Sequence, residues 1–95
     1  MATFALICID KPGALAVRMA AREAHLAYVA ARRDLVRLAG PFLDEQGQMA
    51  GSMLILEAPD LAAVQAFSRA DPYVAAGLFE RVEIRPWRVG IGQLP

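Results

Sequence analysis

The order of elements legible in the chain predicts an α+β protein of ferredoxin-like βαββαβ topology. Three observations lead there. Four short apolar runs carry β-branched or aromatic residues and end at Gly, Pro or Asp, which marks strands. Two stretches lack internal Gly and Pro and are rich in good helix formers. Their alternation is that of the split βαβ motif. Ninety-five residues suffice for one domain, residues 1–95, with no room for a second.

Taken in order, Thr3 to Ile9 is the first strand, closed by Asp10, Pro12 and Gly13. Ala14 to about Arg33 has no Gly or Pro and is dense in Ala, Leu, Met and Arg, so it reads as the long helix. Leu35 to Ala39 is a second strand ended by Gly40 and Pro41, and Phe42 to Ala50 reads as a polar connection. Gly51 to Glu57 is the third strand, stopped by Pro59. Asp60 can cap a second helix, Leu61 to about Ala70, by accepting from an early backbone N–H. Asp71, Pro72 and Gly77 have the residue types of N-cap, first helical position and C-terminal stop around one short turn. Val82 to Trp87 is the fourth strand, and Pro86 places it at an edge or at its own end.

Composition removes several classes of function. Hydrophobic residues are 57% of the chain against 21% charged, the reverse of a disordered segment. Ten basic residues balance ten acidic ones, which removes the electrostatic case for nucleic acid or an anionic membrane. Phe4 to Ile9, the longest strongly apolar run, has six residues, against the roughly 20 needed to span a bilayer. No basic stretch followed by an apolar one opens the chain, so a soluble cytoplasmic protein is expected. The single cysteine, Cys8, has no partner for an internal disulfide and reads as a small hydrophobe inside a strand.

Strand patterning adds one inference about assembly. Phe4, Leu6 and Cys8 alternate with Ala5, Ile7 and Ile9, and Met53 and Ile55 with Leu54 and Leu56, so both faces of the sheet are apolar. Two helices cover only one face of such a sheet. A second copy of the chain is the expected cover, giving a homodimer or higher homo-oligomer, and a C-terminal tail folded over the sheet is the alternative.

The residues able to carry chemistry are few. His25, the only histidine, lies mid-helix with Arg18, Arg22 and Val29 on the same side, at the border of an apolar stripe of Leu15, Met19 and Leu26. An imidazole there suits general acid–base work or simply a half-buried structural role. Asp71 can cap its short turn and also reach an imidazole and orient its tautomer. Arg18 and Arg22 offer guanidinium forks to a substrate carboxylate or phenolate, or else form a solvated helix face. Ser52 and Ser68 have no base placed beside them. Gly90-Ile91-Gly92 is followed by no helix, so no dinucleotide site is expected, and no cofactor or catalytic metal is implied.

Five segments in this order resemble the YCII-related family: Arg22-Glu23-Ala24-His25-Leu26, Leu38-Ala39-Gly40-Pro41, Gly51-Ser52-Met53, Asp71 to Phe79, and Ile84-Arg85-Pro86-Trp87. The resemblance runs from the first strand to Trp87, and its most specific pieces are Arg-x-x-His-Leu and Asp-Pro-Tyr-x-x-Ala-Gly. It implies a dimeric α+β barrel, similar in fold to muconolactone isomerase, with two sheets packed face to face. It also implies a His–Asp active-site pair, here His25 and Asp71. One activity known in that family is dehydrochlorination of a chlorinated hydroxyhydroquinone, and fold kinship does not transfer substrate.

Two functions follow as expectations. The first is a cofactor-free lyase or isomerase acting on a small anionic or phenolic molecule. His25 and Asp71 would be its catalytic pair, and Arg22, Arg18, Tyr73 and Ser52 its substrate-binding residues. The second is a small-molecule binding or accessory protein in which the same pair is a structural hydrogen bond.

Overall fold

The computed structural model describes residues 1–95. The chain runs β1 (Ala2–Asp10), α1 (Leu15–Ala30), β2 (Val36–Leu43), β3 (Met49–Ala58), α2 (Leu61–Arg69), α3 (Pro72–Ala75) and β4 (Phe79–Pro86). The strands form one antiparallel sheet in the order β2-β3-β1-β4, the ferredoxin-like arrangement with β1 and β3 central.

Register fixes which residues share a face, because paired residues of neighbouring strands point the same way. Phe4, Leu6 and Cys8 pair with Leu56, Leu54 and Ser52 on one side and with Pro86, Ile84 and Val82 on the other. This is the helix-covered face. Its residues Phe4, Leu6, Cys8, Leu54 and Leu56 make the core with Val36, Val64 and Phe67 from neighbouring elements, whereas Val82 and Pro86 on β4 stay exposed. The opposite face carries Ala5, Ile7, Ile9, Met53, Ile55 and Leu38, and turns charged on β4 with Arg81, Glu83 and Arg85. Ala5 and Ile55 in its middle are buried, but Leu38 is 51% and Met53 40% exposed, so the β2–β3 side of that face is open within one chain. The tail after β4 runs past one end of it: Trp87 N–H donates to the Thr3 carbonyl, and the Arg37 guanidinium donates to the Pro95 carbonyl.

Four boundaries differ from the sequence expectation by two or more residues, one of them the start of β4, which pairs with Asp10 from Phe79 onward rather than beginning at Val82. Helix α1 ends at Ala30 rather than Arg33, because a turn over 31–35 is needed to deliver Leu35 and Val36 to the core. The second strand continues through Gly40 and Pro41 to Leu43; β2 is the edge strand, where a missing N–H costs no ladder bond. The supposed connection from Phe42 to Ala50 shrinks to residues 44–48. There Asp44 Oδ1 accepts from the N–H groups of Gln46 and Gln48, and Gly47 supplies a positive φ of 78°.

Helix α2 begins as expected, with Asp60 accepting from Ala63 N–H at 2.9 Å. Asp71 caps α3 by accepting from Tyr73 N–H at 2.9 Å, Pro72 opens it, and Gly77 ends it at φ 70°. No helix is long and apolar enough to cross a membrane.

The inner face of α1 departs from the apolar-stripe expectation. Its buried residues are Arg18 and His25, whereas Met19 and Leu26 are about half exposed. The helix therefore lays Arg18 against the sheet and His25 against the α3 turn, and what satisfies them there defines the site.

Candidate active site

Helix α1, the short α3 turn and the β2–β3 side of the sheet enclose a cleft of about 460 Å³. Its lining includes His25, Arg18, Arg22, Ser52 and Tyr73, with Leu26, Val29, Val36 and Leu54 as apolar walls. Asp71 lies behind this surface rather than on it.

His25 Nδ1 sits 2.9 Å and 3.0 Å from the two carboxylate oxygens of Asp71. Both residues are buried, at 8% and 5% exposure. A carboxylate only accepts, so Nδ1 carries the hydrogen, and in the neutral imidazole Nε2 is left as the free lone pair. Nε2 has no partner in the protein, no buried side-chain nitrogen or oxygen is left unpartnered, and His25 lines the cleft. Nε2 therefore opens onto the cleft. The Tyr73 ring stacks on the imidazole with centroids 4.0 Å apart and planes 15° from parallel, which fixes the tilt of the ring. Because Asp71 is held by capping α3 through the Tyr73 N–H, one short turn positions both supports of His25.

Arg18, 2% exposed, is the hub of the second cluster. Its Nε and Nη2 donate to the two oxygens of Asp10 at 2.8 Å and 2.9 Å, a bidentate pair. Nη2 also donates to Ser52 Oγ at 2.9 Å and Nη1 to the Tyr73 hydroxyl at 3.4 Å, while the guanidinium carbon lies 4.7 Å from the Tyr73 ring centre. Burial works against the charge of Arg18, but the hydrogen bond to Asp10 and its charge outweigh this and hold the guanidinium protonated. Burial likewise raises the Tyr73 phenol above its ordinary value, against the opposing charge of Arg18, so it is a neutral donor at physiological pH.

The residues picked out in the sequence, His25, Asp71, Arg18, Arg22, Tyr73 and Ser52, thus converge on one cleft or stand directly behind it. The solvated-face alternative fails for Arg18, whose charge is met by Asp10. Arg22 is exposed at the cleft wall and has no carboxylate partner. Asp10, read from sequence only as a strand end, is part of the site. The available signal was its parity: it follows Phe4, Leu6 and Cys8 on the helix-facing side of the first strand, one turn-and-helix entry before Arg18. Arg33 and Arg37 also line the cleft and were not anticipated; Arg37 pairs with Glu57. No three His, Cys, Asp or Glu side chains converge in a way that could hold a metal ion.

Comparison with known proteins agrees with this architecture. The chain is 41% identical over 87 residues to Protein YciI of Escherichia coli, covering 83% of this chain and 89% of that one. It is 30% identical over 93 residues to an uncharacterized protein of Haemophilus influenzae, covering 90% and 95%. Among solved structures it is similar to the 5-chloro-2-hydroxyhydroquinone dehydrochlorinase of Burkholderia phenoliruptrix in complex with 2,5-dihydroxybenzoquinone. That match has a TM-score of 0.86 and 34% identity over 93% of this chain and 95% of that one. An antibiotic biosynthesis monooxygenase shares the fold alone, with a TM-score of 0.56 and 14% identity over 94% of this chain and 98% of that one. The YCII-related domain model matches residues 2–88. With that match spanning nearly the whole chain, and relatives at this identity over most of its length, the protein belongs to the YCII-related family.

Proposed function

We propose that the protein is a cofactor-free lyase or isomerase that moves a proton on a small anionic or phenolic molecule, with His25 as general acid–base and Asp71 as its positioning partner. One observation carries the reading: His25 is tied at Nδ1 to a buried carboxylate and presents an unpartnered Nε2 to the cleft. The likeness to a dehydrochlorinase of a hydroxylated ring supports the same class of substrate.

In this mechanism Nε2 takes the proton of an acidic hydroxyl, and the O–H electron pair becomes the π bond of a carbonyl as the ring or enol double bond shifts. Return of that proton to the neighbouring carbon completes an isomerisation. In a lyase a leaving group on that carbon then departs with its bonding pair as an anion, while a second hydroxyl of the ring releases its proton to solvent and its O–H pair shifts through the ring to form a second carbonyl and the new double bond. Asp71 stabilises the transient imidazolium, and Arg22 faces the developing negative charge. Proton transfer of this kind contributes about 10² to 10⁴ in rate, enough for an already acidic substrate. Two copies are proposed to pair through the uncovered apolar sheet face, as in a dimeric α+β barrel, with the enzyme working in the cytoplasm.

The test is a screen of hydroxylated aromatics, 5-chloro-2-hydroxyhydroquinone included, followed by ultraviolet and visible absorption in wild type and His25→Gln. Turnover that drops about 10² to 10⁴-fold in the variant, with the fold intact, is the expected result. A variant as active as wild type removes His25 from the chemistry. Binding without turnover in wild type, with a purely structural cost of losing His25, makes the protein a small-molecule binding protein instead.

A further inference from the structure

After β4 the chain crosses one end of the sheet, from the β4 edge to the β2 edge, and is fastened at two points. Trp87 N–H donates to the Thr3 carbonyl at 2.9 Å, and Arg37 Nη2 donates to the Pro95 carbonyl at 2.6 Å. Between these anchors no backbone group of residues 88–94 pairs with another backbone group. Ile91 is 100% exposed between Gly90 and Gly92, and Gly92 sits at φ 92°, a conformation glycine adopts freely. Only Val89 and Leu94 are half-buried. A stretch with so few buried contacts and so little backbone pairing opens at low cost.

The second anchor stands at the cleft. Pro41 pairs with Ser52 and Val36 with Leu56, so the β2 wall of the cleft extends about 13 Å along the sheet from the Ser52 end. At its far end Arg33 Nε donates to the Val36 carbonyl at 3.0 Å, and Arg37 and Pro95 complete the lining. Arg37 sits where the β2–β3 register shifts between Val36 and Leu38. Glu57 takes its Nη1, which leaves Nη2 as the donor that holds Pro95. Both side chains of that ion pair are about one-third exposed, where water keeps such a pair weak. We infer that residues 88–95 are a hinged strap, that Arg37 is its latch, and that the seated strap is the movable wall limiting how long a molecule the cleft accepts. Arg37 makes no hydrogen bond to His25 or Asp71 and is a positioning residue. The inference takes from the proposed function only that the ligand sits in this cleft beside His25.

Trypsin reads the latch, because Arg88 is the one basic residue of the strap and a cut there frees residues 89–95. Cleavage after Arg88, followed by intact mass, should be about 10-fold faster in Arg37→Met than in wild type, since proteolysis tracks the open population. Arg37→Lys, whose single ammonium lacks the fork that holds Glu57 and Pro95 together, takes its place if Arg37→Met does not fold. The cleft is read by the affinity of two probes, 2,5-dihydroxybenzoquinone and its 3-phenyl derivative, for wild type, Arg37→Met and a chain lacking residues 89–95. Wild type should favour the smaller probe by about 10-fold, and both variants should lose that preference while holding the smaller probe about equally well. Equal cleavage rates, no preference in wild type, or a preference that both variants retain each overturn the inference. Should neither probe bind wild type, the substrate class of the proposed function fails. The strap is then judged on carboxyethylation of the sole histidine, His25, by diethyl pyrocarbonate: a faster rate in both variants upholds it, and an unchanged rate overturns it.

Discussion

Asp71 makes two separable interactions, so its replacement tests the site quantitatively. It accepts the Nδ1–H of His25 through both oxygens and caps α3 through the Tyr73 N–H. At 6% side-chain exposure, solvent screens little of the first interaction. A hydrogen bond to a charged group contributes about 1.5–3 kcal/mol, and loss of an N-cap to Ala costs about 1 kcal/mol. Asp71→Ala loses both and should destabilise by about 2.5–4 kcal/mol. Asp71→Asn keeps a good cap residue, so it should cost about 1 kcal/mol less than Ala.

A double-mutant cycle of His25→Ala with Asp71→Asn isolates the pair, with a coupling expected at about 1.5–3 kcal/mol. The assay is urea denaturation at one fixed protein concentration, since any association contributes to the midpoint. In parallel, nitrogen-15 NMR of the single imidazole reports its tautomer. Wild type should hold the hydrogen on Nδ1, and Asp71→Asn should populate the other tautomer, the defect that cripples a catalytic histidine when its carboxylate becomes an amide. A coupling within 0.5 kcal/mol of zero (roughly the limit of additivity), together with an unchanged tautomer, would refute the claim that Asp71 orients the base.

Three further outcomes are expected. Burial, reinforced by the charge of Asp71, pushes the Cys8 thiol from 9.0 up to about 12, so the folded state binds this proton more tightly than the unfolded one. Stability should therefore be fully present below about pH 9 and be lost as the pH rises towards 12, and Cys8→Ala should flatten that part of a melting-temperature profile. Arg18→Met leaves Asp10 as a buried unpaired carboxylate and should cost about 3–5 kcal/mol by chemical denaturation, whereas Arg18→Met combined with Asp10→Leu should cost less than the single change. Light scattering should give the mass of at least two chains, and Met53→Asp on the open sheet face should yield a monomer; a wild-type monomer would mean that the face stays uncovered.

Most of the fold was legible because short-range rules governed it. Asp60 and Asp71 cap the helices their positions announce, and the four apolar runs become the four strands in the expected order around the helices. The misread segments are those where tertiary context decides. Pro41 looked like a stop because its strand could not be known to be an edge. Helix α1 gives up its last turn so that Leu35 and Val36 can enter the core, which no local propensity records.

The inner face of α1 is the instructive case. Periodicity assigns a helix's buried side by its apolar residues, and here that rule selects Met19 and Leu26 while the structure buries Arg18 and His25. The choice is affordable only because partners wait on other elements: Asp10 at the end of β1 for the cation, Asp71 at the start of α3 for the imidazole. Without Asp10 the helix would have every reason to turn Arg18 to solvent. Each buried polar residue thus depends on a carboxylate that sequence distance conceals, eight positions away in one pair and forty-six in the other. A core of Leu and Val at the same positions would satisfy the fold at lower desolvation cost, and it would leave the cleft with neither an acceptor nor a donor. That the chain keeps the polar arrangement at its helix–sheet seam, where a violated pattern costs most, is the physical reason to place function there.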